Sequence, residues 1–247
     1  MDKYNVYQDM SRRTGGEIYL GIVGPVRTGK STFIKRFMEL VVIPEMSDDN
    51  EKVRTIDELP QSADGKTIMT TEPKFIPKEA AVIHFSNQET GKIRLIDCVG
   101  YLVPEAVGAI EEEKERMVKT PWSEEEIPFS KAAEIGTSKV IREHSNLGLI
   151  ITTDGSFGDI AAVNFEEALQ KTVMECEKAG KPFLILVNTS RPDSQETIQF
   201  TKRLEAQYGK TVMAVNCKTM DREDVFRIME QLLADFPITR LNFLLPK

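Results

Sequence analysis

One eight-residue segment constrains the fold more than any other part of the chain: Gly24-Pro25-Val26-Arg27-Thr28-Gly29-Lys30-Ser31. It fits the pattern G-x-x-x-x-G-K-[ST] without a mismatch, and that pattern requires a strand before it and a helix after it. Both are indicated, because 18–23 is an almost continuously apolar run and 31–42 carries apolar residues at helical spacing. The sequence therefore predicts a strand, a phosphate-binding loop (P-loop) and a helix in succession.

The residue types of this loop suit a triphosphate bound together with Mg²⁺. Glycines let the backbone turn its N–H groups inward, and the helix N-terminus adds the positive end of its dipole. Lys30 can reach the β- and γ-phosphates, and the Ser31 hydroxyl can bind the metal. Arg27 is a candidate for stabilising charge on the phosphates, with a solvent-facing loop arginine as the alternative. The predicted nucleotide contacts in this segment are Gly24, Arg27, Thr28, Gly29, Lys30, Ser31 and Thr32.

A second candidate element follows another predicted strand. The run 93–97 ends in an acid and continues as Asp97-Cys98-Val99-Gly100, which is D-x-x-G. A carboxylate at the C-terminal end of a strand lies where α/β folds bind ligands. We therefore expect Asp97 to help hold Mg²⁺ and the Gly100 N–H to meet the γ-phosphate. A surface aspartate in a turn is the alternative.

Two stretches, 44–79 and 101–129, show no periodicity and are predicted as long, switch-like loops. Such loops inside a compact domain are usually functional or disordered. Thr70 and Thr71 are candidates for sensing the γ-phosphate, and Thr67 is a weaker one, because a threonine can order a loop in the triphosphate state. Thr71 joins Ser31 and Asp97 in the predicted metal set, although either threonine of the pair fits that role.

The rest of the chain alternates strand and helix patterns. A turn-like segment, 87–91, separates runs 81–85 and 93–97 and predicts an antiparallel pair. Further strand patterns lie at 147–152, 182–188 and 211–216, and helical patterns at 130–145, 163–179, 193–208 and 221–235. The fold class predicted is α/β: a P-loop NTPase three-layer sandwich with a mostly parallel sheet of about six strands, one of them antiparallel, and helices on both faces.

This domain is predicted to span 17–236. A flexible segment, 1–16, precedes it, and a strand-like tail, 237–247, is expected to lead to further domains. The net charge of −7 argues against nucleic acid as a partner. No apolar window is long enough for a transmembrane segment. Three cysteines without C-x-x-C spacing and two histidines favour a reducing cytoplasm and argue against a zinc site.

The order of motifs resembles the Ras-like, translation-factor-related class of P-loop GTPases, with two departures. Where that class has N-K-x-D, this chain has Asn188, Thr189 and Arg191. An arginine offers only donors, so the carboxylate that reads guanine is missing and ATP is preferred to GTP. Asp193, two residues later, leaves an alternative open. Tyr101 stands where many members carry a water-orienting glutamine, which predicts slow intrinsic hydrolysis.

A closer resemblance is to the stage IV sporulation protein A family, the spore-coat morphogenetic ATPases. The stretches that carry it include the P-loop with Arg27, 14–21, 33–42, 57–62, 65–75, 97–101, 120–122 and 151–155. The resemblance implies Mg-dependent hydrolysis of ATP. In its terms, Lys30 is the phosphate lysine, Asp97 the acid on the magnesium side, and Thr70 and Thr71 the nucleotide-sensing threonines. Asn188 and Thr189 complete the predicted nucleotide set.

The same resemblance implies self-association into the base layer of the spore coat. It places the protein in the cytoplasm, on the mother-cell side of the forespore outer membrane. The partners it implies are a short amphipathic membrane peptide and later coat proteins, bound mainly by other domains. A GTPase-type switch that acts through a protein partner is the alternative function.

Overall fold

The computed structural model describes residues 16–60, 72–84, 90–106, 110–111 and 114–234. Among these residues, six strands form the central sheet, and two small antiparallel pairs lie outside it. In chain order the strands are β1 Glu17–Val23, β2 Lys74–His84, β3 Thr90–Asp97, β4 Ile110–Glu111, β5 Lys114–Glu115, β6 Met117–Thr120, β7 Ser123–Pro128, β8 Leu147–Thr153, β9 Phe183–Asn188 and β10 Val212–Val215.

Six helices accompany these strands in the described part of the chain. They are α1 Lys30–Phe37, α2 Asp49–Glu58, α3 Phe129–Lys139, α4 Glu166–Ala179, α5 Gln195–Tyr208 and α6 Arg222–Ala234. Shorter helical turns extend them: α1 runs on through a π-helical turn, Met38–Val42, and a three-residue turn, Ile43–Glu45, while α3 runs on through Val140–His144 and α4 is preceded by Ala162–Phe165. No described helix has the length and apolar character needed to cross a bilayer.

The central sheet has the order β10-β9-β8-β1-β3-β2, and its strands are parallel except for β2. The register aligns the carboxyl ends of neighbouring strands: Ile22 pairs with Asp97, and Thr153 pairs with Asn188. Because parallel strands end at one edge, the segments after β1, β3, β8 and β9 meet there. This is the edge that carries the candidate site.

Helices cover both faces of the sheet, so the predicted fold class is confirmed. On one face, α1 and α6 pack over Leu20 and Ile22 of β1. On the other face, the turn Val140–His144 that extends α3, together with α4 and α5, packs over Val23 and Ile150. Each fully buried side chain of this kind stabilises the fold by about 1.5–3 kcal/mol. Burial from both sides thereby holds β1, and the loop that follows it, in a fixed position.

The structure differs from the sequence prediction in the two long loops. Segment 44–79 contains α2, whose N-terminus is capped by Asp48 Oδ1 accepting from the Asn50 N–H at 2.7 Å, and β2 already begins at Lys74. Segment 101–129 contains β6 and β7, which form a hairpin packed against α3. The helical run that begins at Lys30 also passes through Pro44, which lies in the three-residue turn Ile43–Glu45.

Several predictions lie outside the described residues. These are the flexible segment 1–16 except its last residue, the threonines Thr67, Thr70 and Thr71, the turn at 87–91 except its last two residues, and the tail 237–247. The antiparallel pairing of β2 with β3, which that turn connects, is confirmed.

Candidate functional site

The P-loop forms a backbone cradle between β1 and α1 that only glycine permits at two positions. Gly24 has φ 131° and Gly29 has φ 93°, both in the region that favours glycine. A Cβ on Gly24 would lie 2.3 Å from the carbonyl oxygen of Ile151, and a Cβ on Gly29 would lie 2.3 Å from Asn188 Nδ2. The loop is therefore pressed against β8 and β9 and leaves no room for side chains on that side.

Lys30 begins α1 and is almost completely buried inside this cradle. Its Nζ donates to the carbonyl oxygen of Pro25 at 2.6 Å and to that of Gly24 at 3.4 Å. Burial lowers the pKa of Lys30, although Cys98 and Asp97 act in the opposite direction. The protein does not fully balance the positive charge of this buried ammonium. An anion bound in the cradle would supply the missing negative charge.

Ser31 and Asp97 join the P-loop to the end of β3. The Ser31 hydroxyl donates to Asp97 Oδ2 at 2.9 Å, whereas Asp97 Oδ1 is buried and has no hydrogen-bond partner among the described residues. Burial raises the pKa of Asp97, and the charge of Lys30 and the Ser31 hydrogen bond oppose that rise. An orphaned carboxylate oxygen beside a hydroxyl fits Mg²⁺, which prefers oxygen ligands. Ser31 and Asp97 would hold the ion.

The D-x-x-G segment lies directly on the P-loop. Gly100 has φ 93°, and a Cβ there would lie 2.0 Å from the carbonyl oxygen of Gly24 and 2.7 Å from Lys30 Nζ. The Val26 N–H donates to the carbonyl oxygen of Tyr101 at 2.9 Å. The Tyr101 ring is buried in an apolar cluster that includes Val26, so this residue contacts the P-loop through its backbone and its ring. Any movement of the D-x-x-G segment would therefore shift the atoms of the P-loop cradle.

Arg27 combines exposure with an unusual backbone. Its φ is 62°, the left-handed region, which costs a residue with a side chain about 1–2 kcal/mol. The two neighbours, Val26 and Thr28, are each 1% exposed, whereas Arg27 is exposed. Strain of this kind concentrates at functional positions. Thr32, the remaining predicted contact in this segment, is half-buried in the first turn of α1.

Asn188 ends β9 and ties three segments together. Its Nδ2 donates to the carbonyl oxygen of Thr28 at 3.0 Å, and its Oδ1 accepts from the Cys217 N–H at 3.0 Å. The side chain thereby links the P-loop to the turn after β10. Arg191, in the position of the guanine-reading aspartate, is exposed.

Asp154 is a residue of this edge that the sequence analysis did not assign. It follows β8, and its Oδ2 accepts from the hydroxyl of Thr189 at 2.6 Å and from that of Thr197 at 3.4 Å. Burial works to raise the pKa of Asp154, but hydrogen bonds from Ser156 and Thr189 outweigh it and lower the pKa. Thr189 is fully buried in this contact. The available signal was an acid directly after a predicted buried strand, the same signal that identified Asp97.

The structure thus brings Lys30, Ser31, Asp97, Gly100 and Asn188 to one sheet edge, with Arg27 exposed and Thr28 buried in the same loop. A P-loop entering a helix, with an acid from the adjacent strand hydrogen-bonded to the P-loop serine, defines a P-loop NTPase domain.

Within this class, the chain belongs to the family described as "Stage IV sporulation protein A, ATPase domain", whose sequence model matches residues 1–237. It is 50% identical over 246 residues to stage IV sporulation protein A of Bacillus subtilis (strain 168), covering 100% of this chain. Identity is 48% over 246 residues with that of Bacillus anthracis (100% of this chain) and 47% over 243 residues with that of Clostridioides difficile (strain 630; 98% of this chain). The chain spans 50% of each of these relatives, which is about half their length.

Proposed function

We propose that this domain binds ATP together with Mg²⁺ at the P-loop and hydrolyses it. The observation that carries the proposal is the group formed by Lys30, Ser31 and Asp97. It holds a buried ammonium beside the place for the phosphates, and a buried carboxylate oxygen on the metal side that no described residue hydrogen-bonds. Membership in a family of ATPase domains supports the same activity.

Each part of the site has a role in this proposal. Lys30 binds the β- and γ-phosphates, and the Gly100 N–H meets the γ-phosphate. Arg27 stabilises charge that develops there, while Thr70 and Thr71 sense the γ-phosphate. When bound, Mg²⁺ would neutralise phosphate charge, with Ser31, Asp97 and Thr71 around it as the metal set. On the other side of the loop, Asn188 and Thr189 lie towards the base.

The biological role that we propose for hydrolysis is self-association into the base layer of the spore coat at the forespore surface. Its support is the family, since the relatives are named as sporulation proteins. In this proposal the protein lies in the cytoplasm, on the mother-cell side of the forespore outer membrane. A short amphipathic membrane peptide and later coat proteins are its partners, bound through the half of the relatives that this chain does not span.

Calorimetric titration tests the binding step. We expect heat with ATP in the presence of Mg²⁺, a large loss of affinity with a chelator, and a similar loss in Asp97→Asn. The matched control is Asp57→Asn, an exposed carboxylate on α2, which should bind as the unchanged chain does. Absence of heat with either purine triphosphate in folded protein would refute the proposal. A clear preference for GTP would favour the GTPase-type switch acting through a partner.

Turnover tests the sensing step separately. Replacing Thr70 and Thr71 together by Ala should reduce phosphate release far more than it reduces ATP affinity, because both would act only once the γ-phosphate is in place. Equal losses of binding and turnover would count against that role. Sedimentation of the unchanged chain and of this variant, with and without ATP, shows whether turnover is linked to self-association.

A further inference from the structure

A groove runs between α3 and α4 on the surface of the domain. It has a volume of about 360 Å³, within the range of about 300–1,000 Å³ that is common for binding sites. Apart from Tyr101, its lining comes from these two helices. Lys131 of α3 and Lys171 of α4 each line it together with the residues three, four and seven positions later. Residues at this spacing share one face of a helix, so two helix faces, each about 10 Å long, form the walls of the groove.

The groove is apolar in the middle and positively charged at its ends. Ile135 of α3 is half-buried, and Met174 of α4 is 46% exposed, although both side chains are large and apolar. Covering apolar surface of this kind is favourable for a partner. Lysines stand at three of the four ends of the two walls, at Lys131, Lys171 and Lys178.

The carboxylates near these lysines leave their charge available. Glu175 Oε1 accepts from Arg142 Nε at 2.7 Å and from the Ser138 hydroxyl at 2.8 Å, and these bonds also hold α4 beside α3. Two other acids form exposed pairs with groove lysines: Glu134 with Lys131 at 3.9 Å, and Glu167 with Lys171 at 3.1 Å. Exposed pairs of this kind are worth little, so the lysines can exchange them for acids of a partner.

Helix α2 carries a stripe that complements the groove. Its exposed face has Asp49, Val53, Ile56 and Asp57, which lie at i, i+4, i+7 and i+8 and therefore follow one another along the helix. Val53 is 59% exposed and Ile56 is 52% exposed. Two apolar side chains between two carboxylates thus match a groove that has two apolar side chains between lysines.

Helix α2 cannot enter the groove of its own molecule. Leu59, which follows α2, belongs to the core on the face of the sheet that α1 and α6 cover. Glu58 Oε2 accepts from the Lys78 N–H of β2 at 2.7 Å and holds the end of α2 at that strand. Helix α4 packs on the opposite face of the sheet. The exposed stripe of α2 can therefore reach only the groove of another molecule.

We propose that α2 of one molecule docks in the α3–α4 groove of a second copy of this chain. Val53 and Ile56 cover Ile135 and Met174, and the two aspartates of the stripe lie among the lysines. The inference rests on the proposed self-association and names its two surfaces. Because these surfaces differ, each contact leaves a free α2 at one end of the pair and a free groove at the other. Repetition of the contact gives a ring or an open chain.

Both surfaces adjoin groups of the nucleotide site. Tyr101 lines the groove, and its carbonyl oxygen accepts from the Val26 N–H of the P-loop at 2.9 Å. Helix α2 precedes in the chain the stretch that contains Thr70 and Thr71. A change at the γ-phosphate can therefore reach either surface through a few residues.

Cross-linking between copies tests the contact directly. The native cysteines Cys98, Cys176 and Cys217 are buried, so a single introduced cysteine is the reactive one. Ile56→Cys and Met174→Cys are mixed at high concentration, because one helix in a two-turn groove is a small interface and should associate weakly. A short bismaleimide should join the two variants to each other far more than either to itself. The variant that carries both changes should give a ladder of dimers, trimers and longer products.

Val163→Cys is the matched control, because Val163 is 65% exposed but belongs to neither surface. Mixed with Ile56→Cys, it should give no more product than either variant alone. The inference is overturned if Ile56→Cys and Met174→Cys cross-link no better than this control pair. It is also overturned if each variant cross-links mainly with itself, which would mean a symmetric contact.

An exchange of charge tests the electrostatic part of the contact. Asp49→Lys with Asp57→Lys reverses the stripe of α2, and Lys171→Glu with Lys178→Glu reverses the groove. Each double variant alone should associate about tenfold more weakly than the unchanged chain in sedimentation velocity, because like charges then face each other. Mixing the two double variants restores opposite charges in every contact and should restore the association. A mixture as weak as its components would contradict the contact.

Titration with ATP keeps this inference separate from the proposed nucleotide binding. None of the changed residues has a role there, so every variant should bind ATP as the unchanged chain does, which also shows that it folds. If the unchanged chain self-associates but fails both tests, these surfaces are wrong and the proposed function stands. If the unchanged chain stays monomeric at high concentration, the proposed self-association and this inference fail together.

Discussion

Replacing Lys30 by Met should separate the stability of the ligand-free protein from its ability to bind nucleotide. Methionine keeps the length of the side chain and removes the charge, whose burial lowers the pKa of Lys30 below its ordinary 10.5. A depressed lysine pKa means that the group contributes stability above pH 10.5 and that this contribution is lost as the pH falls through the folded pKa. At neutral pH the buried ammonium therefore costs stability, and Lys30→Met should unfold no earlier than the unchanged chain.

The carbonyl oxygen of Pro25 is not orphaned by this change, because the Thr28 hydroxyl also donates to it, at 3.0 Å. In the presence of ATP, the unchanged chain should instead be the more stable of the two proteins. A ligand at one hundred times its Kd adds about 2.7 kcal/mol, which for a domain of this size is a rise in Tm of about 5–10 °C. Losing one or two charge-assisted bonds of about 1.5–3 kcal/mol weakens binding about a hundredfold and reduces that rise to roughly 1 °C.

Thermal unfolding followed by circular dichroism, with and without ATP and Mg²⁺, measures both effects. Lys35→Met is the matched control, because Lys35 lies further along α1 with its side chain 42% exposed and its Nζ 4.0 Å from Glu39 Oε1. It should keep the full ATP-dependent rise in Tm. The reasoning fails if Lys30→Met retains that rise, or if its Tm without ligand falls by several degrees.

Three further perturbations test other parts of this edge. Thr189→Val removes the hydroxyl that bonds to Asp154 and should lower the free energy of unfolding by about 1–3 kcal/mol in chemical denaturation, whereas Thr189→Ser keeps the hydroxyl, loses only a methyl group and should lower it less. Because the pKa of Asp154 is lowered from 3.8, its contribution to stability is present above that pH and lost below it. The free energy of unfolding of Asp154→Asn should therefore fall less steeply in acid than that of the unchanged chain. Identical pH profiles of the two proteins would contradict this. Gly29→Ala should abolish nucleotide binding in a titration, because its Cβ would lie 2.3 Å from Asn188 Nδ2, and wild-type affinity would show that the loop can yield.

Local patterns predicted most of the fold, and they failed where the signal was weak. The buried strands of the central sheet were predicted within one or two residues at 17–23, 147–153, 183–188 and 212–215, because near-continuous apolar runs bounded by polar turns are distinctive. Helix α2 was missed because its sequence is mostly charged and its apolar residues Val53 and Ile56 are exposed. The capping residue Asp48 was the signal that could have located its start.

The residues of the site show the same contrast between those that local patterns predict and those that they do not. Motif spacing predicted the positions of Lys30, Ser31 and Gly29, because these residues contact neighbours close in the chain or a partner that the motif defines. The bond between Asp154 and Thr189 joins residues 35 apart, in loops after two different strands, and no periodicity reports such a contact. For the same reason, the sequence indicated that an acceptor for guanine was missing at Arg191 but not that the neighbouring Thr189 hydroxyl is bonded to Asp154.

The Asn188 side chain has a consequence for the order of events during synthesis. It donates a hydrogen bond to the carbonyl oxygen of Thr28, and the two residues are 160 apart in the chain. At roughly 5–20 residues per second, the ribosome needs about 8–32 s to add that length. During that interval the newly made P-loop lacks the hydrogen bond from Asn188. A nascent chain should therefore gain the ability to capture a nucleotide late and abruptly, once the segment around position 188 has emerged.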